Sequence, residues 1–385
     1  MNRPSAVPPA PEPDLPEGDR AHPDRPLADC PRPEGAMTTP PSFDWDGIRL
    51  TSNENRLGLP ESVRQAVMAA FHEAHIYPDD SADDLAEALA RRHGIGREGI
   101  VHSHGSTEIL RMVAPAHAVG RPRTRLVMPD PTFEHLAEYA APFGPDLVQV
   151  PLTGGDRAHD LQAMRTSAEF WDGPVIIYIC NPNNPTGTLT PVEELKSWIT
   201  EAPQDHLFVV DEAYHEFVED PTYESLEGWA WERPNVMVLR TFSKAYAMAG
   251  LCVGYAVAHP TLAARLRLFK TGRGPSHLSS RGALAAMEDP DFLRRSLESN
   301  RASREIVYQV LRELDLGYME SHTNFVMHEV GGPVDPYVRR MQDAGFQVGR
   351  RFPAYPTHNR ITLGLPREMQ AWADTLRSFR DKGWV

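Results

Sequence analysis

The chain has 385 residues, 41% of them hydrophobic, which is enough for one large core and a smaller second domain. A formal charge of −14, with Lys and Arg scattered and no basic patch interleaved with aromatics, argues against nucleic acid or an anionic membrane as a partner. Cys30, Cys180 and Cys252 lie far apart without CxxC spacing, so neither a disulfide framework nor a zinc site is expected, and a reducing cytoplasm is.

Residues 1–42 are crowded with proline and charge and lack apolar periodicity. Such a segment buries too little surface to offset its ordering entropy, so it reads as a disordered arm, with an arm wrapping a partner subunit as the alternative. It also lacks the basic-then-apolar order of a secretory signal. From about Phe43 helices and strands alternate. Residues 61–75 form an amphipathic helix with Val63, Val67, Ala70 and Phe71 at helical spacing, and a second helix follows Tyr77-Pro78 with Leu85 and Leu89 four apart. Residues 126–128 are a short strand candidate. The continuous apolar run 174–180 (PVIIYIC) suits a parallel strand buried on both faces. Thr190-Pro191-Val192-Glu193 reads as a capping box with proline at the first helical position. Strands at 206–210, ending at Asp211, at 236–239, ending before Arg240, and at 251–257 follow. Helical periodicity then fills 262–316, and 324–328 and 361–363 look like strands of a smaller α+β unit. No run is long and apolar enough to span a membrane. The pattern predicts an α/β protein with a mostly parallel sheet flanked by helices.

Polar residues stand where three buried strands end: Asn181-Pro182-Asn183-Asn184-Pro185-Thr186-Gly187, then Asp211-Glu212-Ala213-Tyr214, then Thr241-Phe242-Ser243-Lys244. Ligands bind at such ends in open α/β sheets. Each cluster alone has an ordinary reading: a turn of Asn, Pro and Gly, a strand-end cap, a chance Ser-Lys pair. Their succession, each after a buried strand, points to one crevice.

These segments, with SNEN (52–55), YPD (77–79), GSTE (105–108), SKAYAMAG (243–250) and RITLG (360–364), resemble the class I/II, fold-type I pyridoxal 5′-phosphate (PLP)-dependent aminotransferases, histidinol-phosphate aminotransferase-like branch. The resemblance runs from about Thr51 to the C-terminus. It implies a PLP-dependent transferase fold of type I, with 43–75 joining the small domain, 76–290 as the large PLP-binding domain and 291–385 as the small C-terminal domain. It also implies a homodimer with shared active sites, acting on an α-amino acid and a 2-oxo acid.

The resemblance assigns roles residue by residue. Lys244 matches the lysine that carries PLP as a Schiff base and shuttles the Cα proton. Asp211 matches the carboxylate that keeps the pyridine nitrogen protonated. Tyr214 and Asn184 match donors to the cofactor's phenolate oxygen, and Phe133 matches the aromatic stacked on the ring. Ser106 and Thr107, opening a helix, match a phosphate site, to which Thr241 and Ser243 bring hydroxyls and Tyr77 reaches from the other subunit. Arg360 matches the arginine that grips the substrate carboxylate, and Asn53 lies in the substrate-facing SNEN segment. No metal is implied.

Two departures stand out. Where the family reads AGLR, with the arginine on the PLP phosphate, this chain has Ala249-Gly250-Leu251-Cys252. Either another cation (Arg240, Lys270, Arg273 or Arg56) takes that role, or PLP is held more weakly and the chemistry has moved to elimination, substitution, decarboxylation or oxidative deamination; Cys252 as a catalytic thiol is a third reading, though nothing nearby in sequence marks it as an activated thiolate. Arg56 stands where relatives often carry proline, and Arg350 and Arg351 offer further sites for a substrate anion. Glu134-His135 and His215-Glu216 are candidates for side-chain recognition.

Overall fold

The computed structural model of the chain describes residues 47–121 and 123–385, so the expected arm at 1–42 lies outside the described residues. A seven-stranded sheet organises most of them. Its strands are β2 (Ile100–His104), β3 (Arg125–Asp130), β4 (Asp146–Pro151), β5 (Val175–Cys180), β6 (His206–Asp211), β7 (Val236–Thr241) and β8 (Val253–Ala258), in the spatial order β2-β8-β7-β6-β5-β3-β4. β8 runs antiparallel to both β2 and β7, and all other pairings are parallel. The carboxyl ends of six strands and the start of β8 therefore share one edge.

Every residue of β5, β6, β7 and β8 is buried, which explains their unbroken apolar runs. Alternate side chains pack into opposite layers: Val175, Ile177 and Ile179 enter one core, and Ile176, Tyr178 and Cys180 the other. The first layer is closed by α1 (Glu61–Ala70), α2 (Asp79–His93), α5 (Leu161–Glu169), α6 (Val192–Glu201), α7 (Glu227–Glu232) and α9 (His277–Met287). The second is closed by α3 (Gly105–Ala118), α4 (His135–Ala140) and α8 (Pro260–Arg267). Leu85 and Leu89 of α2 are fully buried, as their spacing requires, and each contributes about 1.5–3 kcal/mol.

A third core lies around Trp372 and Tyr337. It is built by β1 (Ile48–Arg49), α10 (Pro290–Glu313), β9 (Phe325–Glu329), α11 (Val334–Asp343), β10 (Phe346–Gln347), β11 (His358–Thr362) and α12 (Pro366–Asp381). β9 pairs antiparallel with β11, and β1 pairs parallel with β10.

Two local expectations are corrected. The helix over 61–75 ends at Ala70, and Phe71 is 64% exposed rather than part of the apolar face. His72 Nδ1 lies 2.7 Å from the Ala69 carbonyl, which a continuing helix would give to the Glu73 N–H. The capping box at Thr190 does not form. α6 begins at Val192 with Pro191 in the cap position, and the Thr190 hydroxyl instead accepts from the His159 N–H at 3.2 Å.

Candidate active site

The strand ends surround a cavity of about 850 Å³. Every residue to which the resemblance assigns a cofactor or substrate role lines it except Tyr77, which is 77% exposed and lies under the Arg273 guanidinium, 5.0 Å from its ring centroid.

Asp211 closes β6 at the cavity floor and is 2% exposed. It accepts from the Tyr178 hydroxyl (3.0 Å) and the Ala213 N–H (3.2 Å), and no basic side chain pairs with it among the described residues. Burial pushes its carboxyl up to about 6, against the pull of those two donors and Lys244. Lys244 follows β7, anchored by the buried Phe242 before it. Its Nζ is 3.4 Å from the Ser52 and Asn53 carbonyls and 5.7 Å from the Tyr214 ring centroid. Burial, and then the Arg360 charge, hold this amine down at about 8. A lysine so placed is a ready nucleophile and base near neutral pH.

Tyr214 is buried, and its hydroxyl accepts from Asn53 Nδ2 at 2.9 Å. Burial raises the phenol above its ordinary range. Asn53 adopts φ 57°, a conformation asparagine tolerates. Its N–H donates to the Thr362 hydroxyl (2.9 Å), and its carbonyl accepts from Asn324 Nδ2 (2.9 Å). Asn53 thus ties the third core to the large sheet directly above Lys244.

The NPNNPTG segment is a turn and more than a turn. Asn181 bonds both ends of its amide to the Thr190 backbone, and Asn183 bonds the Pro131 carbonyl and the Thr132 and Thr186 hydroxyls. With these two locking the loop, Asn184 is left facing the cavity, where its Oδ1 accepts from Arg360. The Arg360 guanidinium also donates to the Thr51 carbonyl at 3.1 Å and lies 5.3 Å from the ring centroids of Phe325 and Phe352. Its buried Nε has no partner among the described residues. Burial lowers the guanidinium from its usual range, yet Arg remains cationic.

At the other end of the cavity, Gly105 (φ 74°) opens α3, with Ser106 and Thr107 in its first turn. A Cβ on Gly254 would stand 2.3 Å from the Ser106 nitrogen, so only glycine in β8 lets this helix start lie against the strand. The Thr241 and Ser243 hydroxyls, 3.0 Å apart, share the same edge. First-turn N–H groups and hydroxyls together form a neutral-donor anion cradle.

Cys252 also lines the cavity, in the left-handed conformation at φ 49°, with its thiol donating to the Ala249 carbonyl at 3.4 Å. None of the four cations expected to compensate for it lines the cavity. Arg240 is buried against Glu212 (3.1 Å), Glu227 (2.7 Å) and Glu216 (3.6 Å). Lys270 lies 2.9 Å from His102 Nε2, Arg273 pairs with Asp79, and Arg56 pairs with Glu368. Each has nearer carboxylate or imidazole partners than the cavity offers. Glu134, His135 and Arg350 line the cavity, with Glu134 and Arg350 paired at 2.6 Å, whereas His215, Glu216 and Arg351 do not.

Sequence reasoning missed Tyr178, Phe352 and His104. Tyr178 had no local signal: it reaches Asp211 only because β5 and β6 pair in register, with Cys180 opposite Asp211. Phe352 follows the two arginines of the GRRFP segment, and an aromatic there was the available signal.

This residue set fits PLP. A deeply buried carboxylate without a cation awaits a protonated ring nitrogen, a depressed lysine amine stands nearby, and a glycine-cleared helix start suits the phosphate. Fold and cavity define a fold-type I PLP-dependent enzyme. The profile of the family described as "Aminotransferase class I and II" matches residues 46–375, and the chain belongs to that family. It is 35% identical over 335 residues to "Histidinol-phosphate aminotransferase 1" of Cupriavidus pinatubonensis, covering 86% of this chain and 87% of that protein. It is 36% identical to "Histidinol-phosphate aminotransferase 2" of Ralstonia nicotianae, covering 86% and 88%. Among solved structures, a putative histidinol-phosphate aminotransferase from Erwinia carotovora atroseptica superposes with a TM-score of 0.85 at 38% identity, covering 88% of this chain and 97% of that one. The PLP complex of histidinol-phosphate aminotransferase from Sinorhizobium meliloti gives 0.78 at 27% identity, covering 86% and 91%. The chain is accordingly a PLP-dependent aminotransferase. No helix among the described residues is long and apolar enough to cross a membrane.

Proposed function

We propose that the enzyme moves an amino group between an α-amino acid and a 2-oxo acid, with Lys244 as the cofactor-bearing lysine and Arg360 as the carboxylate clamp. The observation that carries this reading is that Lys244, Asp211, Tyr214, Asn184 and Arg360 line one cavity. When bound, PLP supplies an electron sink that stabilises negative charge at the substrate Cα. Asp211 holds a proton at the pyridine nitrogen. The Tyr214 hydroxyl and Asn184 Nδ2 donate to the phenolate oxygen, Asn184 Oδ1 being already engaged by Arg360. Phe133 covers one face of the ring. Ser106, Thr107, Thr241 and Ser243 hold the phosphate. Lys244 Nζ would take the Cα proton and return it to the carbon on the far side of the transferred nitrogen, a role its low basicity suits. Arg360 keeps its bond to Asn184 and exchanges its contact with Thr51 for the substrate carboxylate, its free Nε completing a bidentate grip. Asn53 orients Tyr214 and borders the substrate.

The division into a large domain (76–290) and a small one (291–385, joined by 43–75) is supported by the separate core around Trp372. A homodimer with shared sites, Tyr77 reaching the partner's phosphate, is supported by exposed Leu57, Leu59, Met68, Phe71 and Ile76 along one stretch. A cytoplasmic location accords with the free thiol of Cys252.

Stopped-flow spectra with a panel of amino donors test the reading, with histidinol phosphate included because relatives carry that name. The expected result is bleaching of the cofactor band by at least one donor and recovery by a 2-oxo acid, with Lys244→Ala reducing turnover at least about 10²-fold. Undiminished turnover by Lys244→Ala would sink the assignment.

A further inference from the structure

A phosphate dianion calls for positive charge as well as neutral donors, and at Cys252 this chain offers none. We propose that His104, as an imidazolium, supplies the cationic hydrogen bond to the cofactor phosphate. The inference rests on the reading of the α3 start as the phosphate cradle.

Three observations carry it. The register of β2 against β8 sets His104 opposite Val253, the neighbour of Cys252, and both His104 and Cys252 line the cavity beside Gly105 and Ser106. His104 Nδ1 lies 2.9 Å from Glu108 Oε2. That carboxylate is itself fixed, accepting from the His104 N–H at 2.7 Å and the Thr271 N–H at 2.9 Å. Its position on the first turn of α3 therefore holds the ring at the helix start. With Nδ1 donating to Glu108, Nε2 is left without a hydrogen-bond partner among the described residues.

The chemistry follows from the two ring nitrogens. A neutral imidazole protonated at Nδ1 would turn a lone pair on Nε2 toward the anion, which repels it. A second proton at Nε2 makes that atom a donor, so the doubly protonated ring bridges Glu108 and the phosphate. The other charged group near Glu108, Lys270, is engaged by His102 Nε2 at 2.9 Å and by the Arg273 carbonyl at 3.2 Å. His104 thus performs from β2 the task that an arginine at position 252 performs from the start of β8.

The test is the PLP dissociation constant of the full-length apoprotein, read by equilibrium dialysis, with the 31P resonance of the bound phosphate as a second signal. Relative to wild type, His104→Gln is expected to weaken PLP about tenfold or more and to shift the 31P line, while His104→Arg keeps affinity near wild type. Equal constants for wild type and His104→Gln overturn the proposal. Ser243→Ala separates the two levels of the argument. If it weakens PLP while His104→Gln does not, the cradle stands and His104 plays no part. If neither weakens PLP, the cradle reading falls as well. Should His104→Gln lower the melting temperature of the apoprotein, the comparison of His104→Arg with His104→Gln still isolates charge, and equal constants for those two also overturn it.

Discussion

At Asp211, burial and charge pull in opposite directions. The carboxyl is sealed beneath the cavity with only a tyrosine hydroxyl and one N–H for company, and its pKa climbs from near 4 to about 6. A carboxyl whose folded pKa lies above its unfolded value destabilises the fold above that folded pKa. Stability therefore falls as pH rises from about 4 to about 6 and stays reduced above it. The difference corresponds to roughly 3 kcal/mol. The apoprotein of Asp211→Asn should accordingly be more stable than wild type at pH 7, by on the order of 1–3 kcal/mol. That advantage should narrow as the pH is lowered from about 6 toward 4. Differential scanning calorimetry of the two apoproteins decides it: a wild type equal to or above the variant at pH 7 refutes the claim. The same substitution should cut turnover about 10²-fold or more, because an amide cannot hold a proton on the pyridine nitrogen.

Among the elements, two glycines decide how strands meet the cavity. A methyl on Gly254 would meet the Ser106 nitrogen at 2.3 Å, and one on Gly349 would meet the Arg360 carbonyl oxygen at 2.1 Å. Both contacts are with backbone, which cannot swing aside, so each alanine variant should lose about 1–3 kcal/mol of stability. Their functional effects should separate. Gly254→Ala displaces the first turn of α3 and should raise the PLP dissociation constant several-fold. Gly349→Ala displaces β11 and should raise KM for the amino donor while PLP affinity stays near wild type. Titration of PLP and steady-state kinetics on both variants check this, and identical effects of the two would contradict it. Element boundaries were legible in the sequence where strands are buried on both faces: the runs at 174–180, 206–210 and 236–239 are β5, β6 and β7 to within two residues. β4, an edge strand with alternating burial, carries a weaker signal, and the two-residue strands β1 and β10 exist only through each other. The helix at 61–75 was overextended because a side chain, His72, takes the carbonyl that the periodicity assigned to the backbone.

For the whole molecule, the contacts that span the cavity between the large sheet and the third core include Asn53 to Tyr214, Arg360 to Asn184, and Glu134 to Arg350. The first two are buried or partly buried; the third is exposed on both sides and contributes no more than about 1 kcal/mol. Outside the cavity, Phe71 and Ile76 expose 64% and 54% of their surface. If that face joins two copies of the chain, Phe71→Glu with Ile76→Glu should convert a dimer to a monomer by sedimentation velocity and lower activity at least tenfold, because Tyr77 would lose its partner site. A double variant that sediments and turns over like wild type would count against the shared-site reading.

The sequence alone determined the chemistry-bearing positions. Buried parallel strands declare themselves by composition, and polar residues placed directly after them must emerge at one sheet edge, so Asp211, Asn184 and Lys244 were readable together. Tertiary structure alone decided what those residues face. Tyr178 reaches Asp211 through strand register, Arg360 finds its Asn184 partner 176 positions away in sequence, and the candidate cations around Cys252 are drawn to closer carboxylates and to His102. The reason is physical. Burial periodicity is a property of neighbouring residues, whereas charge pairing is settled by distances that exist only after the chain has folded.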